Sequence, residues 1–185
     1  MSQGIEVLMA RHAKSWANRR DITVFDNAES PLDAKGESQA VGMNAVFKQE
    51  FDIVPEDYEE PVLASTFVRP QQTAHLAGFK RIAADEILNE SEIPPHLLSG
   101  SRVVEKHAHE RWIPEELRAR AKRFVELVRA GELDYQVYFS HGFFIASVLE
   151  VVSDEHAARG EVSPHVFDEA RGYIPRLATI TPVTL

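Results

Sequence analysis

Four short stretches of this chain carry side chains suited to one kind of chemistry: Arg11-His12, Arg69, Glu90 and Ser140-His141-Gly142. A neutral imidazole is a competent nucleophile at phosphorus near neutral pH, because its ordinary pKa is about 6.5, so it needs no partner base. Arginine forks and a second, protonated imidazole neutralise the oxygens of a transferring phosphoryl group, where the charge of the transition state concentrates. A protonated carboxyl nearby can donate the proton that a leaving alkoxide requires, and the same carboxylate can then take a proton from attacking water. The set suits phosphoryl transfer through a histidine.

These residues act together only if the chain folds them to one place, and the elements between them argue that it does. Ile5 to Ala10 is apolar and bounded by polar residues, the pattern of a buried strand. A loop rich in Asn, Asp, Arg and Ser runs from Arg11 to Pro31. Asp33 then caps a helix through about Gln49, with Ala40, Val41, Met43, Ala45, Val46 and Phe47 on a broad apolar face. Pro61 to Ser65 reads as a second strand, Arg69 to Ala77 as a helix and Ile82 to Leu88 as a third strand. The paired prolines of Ile93-Pro94-Pro95-His96 exclude regular structure there and lead into a charged helical segment, Arg102 to Ala130, interrupted at Ile113-Pro114. Its second half carries Leu117, Ala121, Phe124, Val125 and Val128. Tyr135 to Phe139 is the next strand, Gly142 to Val152 an apolar helix, and Leu177 to Val183 a last strand.

Strands alternating with helices indicate an α/β fold of three layers, α/β/α, with a mostly parallel central sheet and helices on both faces. Ligands of such sheets bind at the carboxyl ends of the strands. Arg11 and His12 follow the first strand, Ser65, Thr66 and then Arg69 the second, Glu90 the third, and Ser140-His141-Gly142 the fourth. Two arginines, two histidines and a carboxylate are therefore expected at one sheet edge.

Composition narrows the partners. With 185 residues, 44% hydrophobic and 26% charged, the chain is long enough for one sizeable core, and a single domain over 1–185 is expected. The net charge of -9 argues against binding nucleic acid by counterion release, so a phosphate or sulfate ion would have to be held by a local basic pocket. The first residues, Met1-Ser2-Gln3-Gly4, lack the basic and apolar stretches of a secretory signal, and the longest apolar run, Phe143 to Leu149, is far short of the roughly twenty residues a bilayer demands. A cytoplasmic protein without a membrane span is the expectation. The absence of cysteine excludes disulfides and thiolate chemistry.

Five motifs in order sharpen the reading: Arg11-His12-Ala13-Lys14-Ser15 with Asn18, Ser30-Pro31-Leu32-Asp33 through Ala40, Arg69-Pro70-Gln71-Gln72-Thr73-Ala74, Leu88-Asn89-Glu90, and Phe139-Ser140-His141-Gly142. Together they resemble the histidine phosphatase superfamily, the phosphoglycerate mutase-like fold, and the opening is similar to its small protein-phosphohistidine phosphatase branch. The resemblance implies that His12 is the phosphorylated nucleophile, with Arg11, Arg69 and His141 completing the phosphate pocket and Ser15 and Asn18 helping to hold the phosphate. Glu90 matches the family's proton donor, with Glu92 as its competitor. A helical insertion at about 92–132 is implied, and its Arg102, Lys106, Arg111 and Arg118 either meet a second anionic group or face water. The implied activity is that of a metal-independent phosphomonoester phosphatase of the histidine acid phosphatase type, without a cofactor, acting on a small phosphorylated metabolite or a phosphorylated protein. A phosphoglycerate-type mutase and a non-catalytic phospho-ligand-binding module are the alternatives.

Plainer readings stand beside these. A histidine or arginine after a strand is often structural, and Ser15 and Asn18 also fit as mere loop caps. His107 and His109, with Glu105 and Glu110, could share helix faces as metal ligands, but no third ligand stands at a suitable spacing, so a solvated helix is expected and no metal site. Trp112 is expected to pack the insertion onto the core. Ala13 stands where the family most often has glycine, and alanine tolerates positive φ poorly, so the turn after His12 is expected to keep φ below zero.

Overall fold

The computed structural model describes residues 4–18, 27–90, 115–160 and 175–185. Within them five strands, β1 (Glu6–Arg11), β2 (Val62–Ser65), β3 (Ile82–Asp85), β4 (Val137–Ser140) and β5 (Ile180–Thr184), form one sheet in the order β3-β2-β4-β1-β5. All neighbouring pairs are parallel except β1 with β5, which is antiparallel. Among the described residues four α-helices accompany the sheet: α1 (Ala34–Glu50), α2 (Val68–Leu76), α3 (Glu115–Arg129) and α4 (Gly142–Ala158).

Side chains along each strand alternate between two cores. Val7, Met9, Leu63, Tyr138 and Val183 join Leu117, Phe124, Phe144 and Ile145 of α3 and α4, while Leu8, Ala10, Val62, Ala64, Val137 and Phe139 join Met43 and Phe47 of α1 and Ala74 of α2. The expected α/β arrangement, with helices on both faces of a mostly parallel sheet, is what the chain adopts. No helix among the described residues is long and apolar enough to cross a membrane.

Three details differ from the sequence reading, each for a local reason. The third strand stops at Asp85, whose side chain accepts a hydrogen bond from the Ile87 N–H at 2.8 Å and starts a 3-10 turn over Glu86–Leu88. The last strand begins at Ile180, because Ala178 takes a left-handed φ of 55° in the preceding turn. The buried stripe of α1 is narrower than expected, Gly36, Ala40, Met43 and Phe47 at helical spacing, and Val41 faces solvent at 56% exposure.

The start of α1 is locked to the loop behind His12. Asp33 is its N-cap, accepting from the Gly36 N–H at 2.8 Å, and Asp33 also pairs with the Lys14 ammonium at 2.9 Å. A Cβ on Gly36 would lie 1.8 Å from the Lys14 carbonyl oxygen, so only glycine permits this approach.

Candidate active site

The ends of β1, β2 and β4 lie side by side, with Arg11 registered against Ser140 and Ala64 against Phe139. The residues after them, His12, Ser65 and His141, therefore emerge together, and α2 brings Arg69 among them. His12, Arg69 and His141 are all buried. Their hydrogen bonds fix the protons.

His12 Nδ1 is 2.7 Å from the Ala13 carbonyl oxygen, which can only accept, so Nδ1 carries the proton. Nε2 keeps its lone pair, and Arg69 Nε donates to it at 3.2 Å. The other arm of the same guanidinium, Nη2, lies 3.2 Å from His141 Nδ1, which must accept because arginine cannot. The two imidazole rings stand 5.1 Å apart, nearly edge to face. One arginine thus bridges the two histidines through the nitrogens that face each other.

Electrostatics keep both rings neutral. Burial pushes the His12 pKa well below 6.5, and Arg69 and Arg11 push it further down, against the Ala13 carbonyl. His141 is lowered likewise by burial, then by His12, Arg69, Arg11 and Arg120. Cations crowd a site removed from water, and in this arrangement, without a phosphoryl group, they favour the neutral form of the second imidazole. Burial also lowers Arg69, to about 10, although Glu90 opposes the shift.

Glu90 is the counter-charge. Burial pushes its carboxyl up to about 7, and Arg11, Arg69, the Phe143 N–H and Arg120 pull less strongly downward. The Phe143 N–H reaches its Oε2 at 3.4 Å, at the N-terminus of α4, and its Oε1 is buried without a partner among the described residues. Arg11 donates through Nη1 to the Pro175 carbonyl, and its Nε is likewise buried and unpartnered. An unsatisfied donor and an unsatisfied carboxyl oxygen therefore stand beside an unprotonated histidine nitrogen, which is chemistry arranged for a ligand that accepts from arginine.

Residues 7–166 match the histidine phosphatase superfamily (branch 1). The chain belongs to that superfamily. Among solved structures, a phosphoserine phosphatase mutant from Entamoeba histolytica in complex with phosphoserine is similar at 15% identity, over 96% of this chain and 89% of that one, with a TM-score of 0.63. A candidate alpha-ribazole-5'-P phosphatase from Escherichia coli is similar at 18% identity, over 96% and 89%, with a TM-score of 0.61. A candidate phosphohistidine phosphatase, SixA, from Agrobacterium tumefaciens is similar at 14% identity, over 97% and 90%, with a TM-score of 0.53. At such identities the likeness is one of fold. A search of curated proteins finds no match.

In this histidine phosphatase chain, Arg11, His12, Arg69, Glu90 and His141 come together as one electrostatic cluster. Ser15 and Asn18 are bonded to each other instead: Asn18 Oδ1 accepts from the Ser15 N–H and hydroxyl, both at 3.0 Å. Ala13 keeps φ below zero, is fully buried, and donates its N–H to Thr73 Oγ1 at 3.0 Å. Thr73 in turn donates to the Arg69 carbonyl at 2.7 Å, so α2 holds both Arg69 and the backbone beside His12. Arg118 meets Glu150 and Asp154 on α4. Glu92, the Ile93-Pro94-Pro95-His96 stretch, Arg102, Lys106, Arg111, Trp112 and the His107 to Glu110 group lie outside the described residues.

Sequence reasoning did not single out Asn89 or Arg120 for the site. Arg120 on α3 donates to the Asn89 carbonyl at 2.7 Å and acts on both Glu90 and His141. Asn89 stood in the quoted Leu88-Asn89-Glu90 motif, which was the signal for it; Arg120 gave none, since one arginine in a charged amphipathic helix looks like its neighbours.

Proposed function

We propose that this chain is a metal-independent phosphomonoester phosphatase that works through a phosphohistidine on His12. The observation that carries the reading is the tautomer of His12: the Ala13 carbonyl holds the Nδ1 proton, so the Nε2 lone pair faces Arg69 and His141. In the first step Nε2 attacks phosphorus, the P–O bond to the leaving group breaks, and neutral Glu90 gives its proton to the departing oxygen. In the second, Glu90 as carboxylate takes a proton from water, water oxygen attacks phosphorus and the P–N bond breaks, which restores His12. Arg11 and Arg69 fork the phosphoryl oxygens throughout.

An incoming phosphate dianion reverses the local balance that keeps His141 neutral, so His141 becomes a cationic donor to the transferring group. Ser15 and Asn18 enter this reading as the cap of the loop that supports His12. The substrate is a small phosphorylated metabolite or a phosphorylated protein, and the relatives named as acting on phosphomonoesters are in keeping with it. A cytoplasmic setting, a single domain and the acid phosphatase type belong to the same proposal.

The test is phosphate release from p-nitrophenyl phosphate with EDTA present, in the intact protein and in His12→Ala. Turnover that survives EDTA and disappears in the variant is expected. Turnover that persists without His12 refutes the phosphohistidine route, and isomerisation of 3-phosphoglycerate in place of hydrolysis would mark a mutase.

A further inference from the structure

His141 is held from behind by a chain of hydrogen bonds whose direction is forced at both ends. At one end Arg69 Nη2 faces Nδ1 and can only donate, so the ring proton sits on Nε2. That N–H points at Ser65 Oγ, 2.9 Å away. At the other end the Thr66 backbone N–H, 3.0 Å from the Asn89 side chain, can only donate, so the amide presents its oxygen there. The same oxygen is 2.7 Å from Ser65 Oγ and takes the serine proton. Ser65 Oγ also accepts from the Phe67 N–H at 3.2 Å, so its two lone pairs and one proton are all used. Ser65 is fully buried at the end of β2.

We propose that Ser65 and Asn89 are positioning residues which fix His141 with its proton on Nε2, and so keep Nδ1 as the nitrogen turned to the nucleophile and the transferring phosphoryl group. The inference deepens the phosphatase reading and depends on it for its link to catalysis. Without the serine acceptor, the ring either buries an unsatisfied N–H or moves its proton to Nδ1 or turns over, and the last two cost it the pairing with Arg69. The lock is what lets a ring that is neutral in the site accept its second proton at the nitrogen facing phosphate.

The deciding experiment reads the ring nitrogens of His141 by 15N NMR, with inorganic phosphate as the titrant, in the intact protein, Ser65→Ala and Asn89→Asp. The intact ring is expected to carry its proton on Nε2. In Ser65→Ala the two tautomers mix and phosphate binds about tenfold more weakly, the loss of one hydrogen bond at a charged group. Asn89→Asp keeps an acceptor for Ser65 and keeps the tautomer. An intact His141 protonated at Nδ1 overturns the proposal, and so does a Ser65→Ala protein with an unchanged ring spectrum and unchanged phosphate affinity. If Ser65→Ala fails to fold, the intact and Asn89→Asp spectra decide. A protein that shows the Nε2 proton and binds phosphate but hydrolyses no phosphomonoester supports the relay while refuting the phosphatase reading.

Discussion

Glu90→Gln separates the acid from every other part of the site, because glutamine keeps the shape and cannot give up a proton. With its carboxyl at about 7, Glu90 is mostly neutral at pH 6 and mostly ionised at pH 8. As an acid it is lost as pH rises, so kcat/KM on an alkyl phosphomonoester should fall about tenfold per pH unit above 7. In the free protein His12 and His141 are both held well below 6.5, and the proton His141 takes up with phosphate is common to intact protein and variant, so the limb the two profiles do not share belongs to Glu90. The substrate's own second ionisation near pH 6 affects intact protein and variant alike, so the difference between their profiles isolates the carboxyl. In Glu90→Gln the limb should vanish and the rate on the alkyl ester drop by about 10² to 10⁴. On p-nitrophenyl phosphate, whose phenolate leaves without a proton, the loss in kcat/KM should be much smaller, because the later water step that also uses Glu90 does not enter kcat/KM. The assay is phosphate release from both esters between pH 5 and 9. A variant that keeps the alkaline limb, or loses the same factor on both esters, refutes the role of Glu90 as acid.

The same shift has a sign in stability. A carboxyl whose folded pKa lies at about 7 against 4.5 contributes fully below pH 4.5 and loses that contribution as pH rises through 7. At about 1.4 kcal/mol per pH unit the cost at pH 8 is at most about 3 kcal/mol. Glu90→Gln should therefore melt higher than the intact protein at pH 8, by a margin that shrinks at pH 5.

Two further predictions concern the scaffold. Gly36→Ala places a Cβ 1.8 Å from the Lys14 carbonyl and should cost about 3 kcal/mol or more, with activity lost as the loop behind His12 moves, whereas Gly42→Ala on the same helix meets nothing within 4 Å and should stabilise by about 0.5 to 1 kcal/mol; chemical denaturation compares the two. Asp33→Ala removes the N-cap of α1 and the Lys14 pair, which should cost about 1 kcal/mol at pH 7. Burial works against the charged form of Asp33, but hydrogen bonds from Lys14 and the Gly36 N–H outweigh it and hold the pKa below 3.8, so the difference between variant and intact protein should disappear as pH falls through that range.

The sequence by itself determined what depends on near neighbours. Alternation and apolar runs marked the strands, Asp33 marked the start of α1, and the rule that ligands bind at strand ends placed Arg11, His12, Arg69, Glu90 and His141 on one edge. Spacing could not assign protons or backs of rings. The Nε2 lone pair of His12 follows from where the Ala13 carbonyl points, and the lock on His141 joins residues 76 apart in the chain through Ser65. Strand order decided those meetings: β4, late in the chain, inserts between β2 and β1 and brings three strand ends to one place. Gly36 lies inside α1 because the helix packs on the Lys14 backbone too closely for a side chain, an approach that no local pattern around it marks. Local patterns record what each segment prefers, whereas packing across the sheet fixes which segments touch, and the raised carboxyl and lowered imidazoles exist only once that packing has removed water from among the charges.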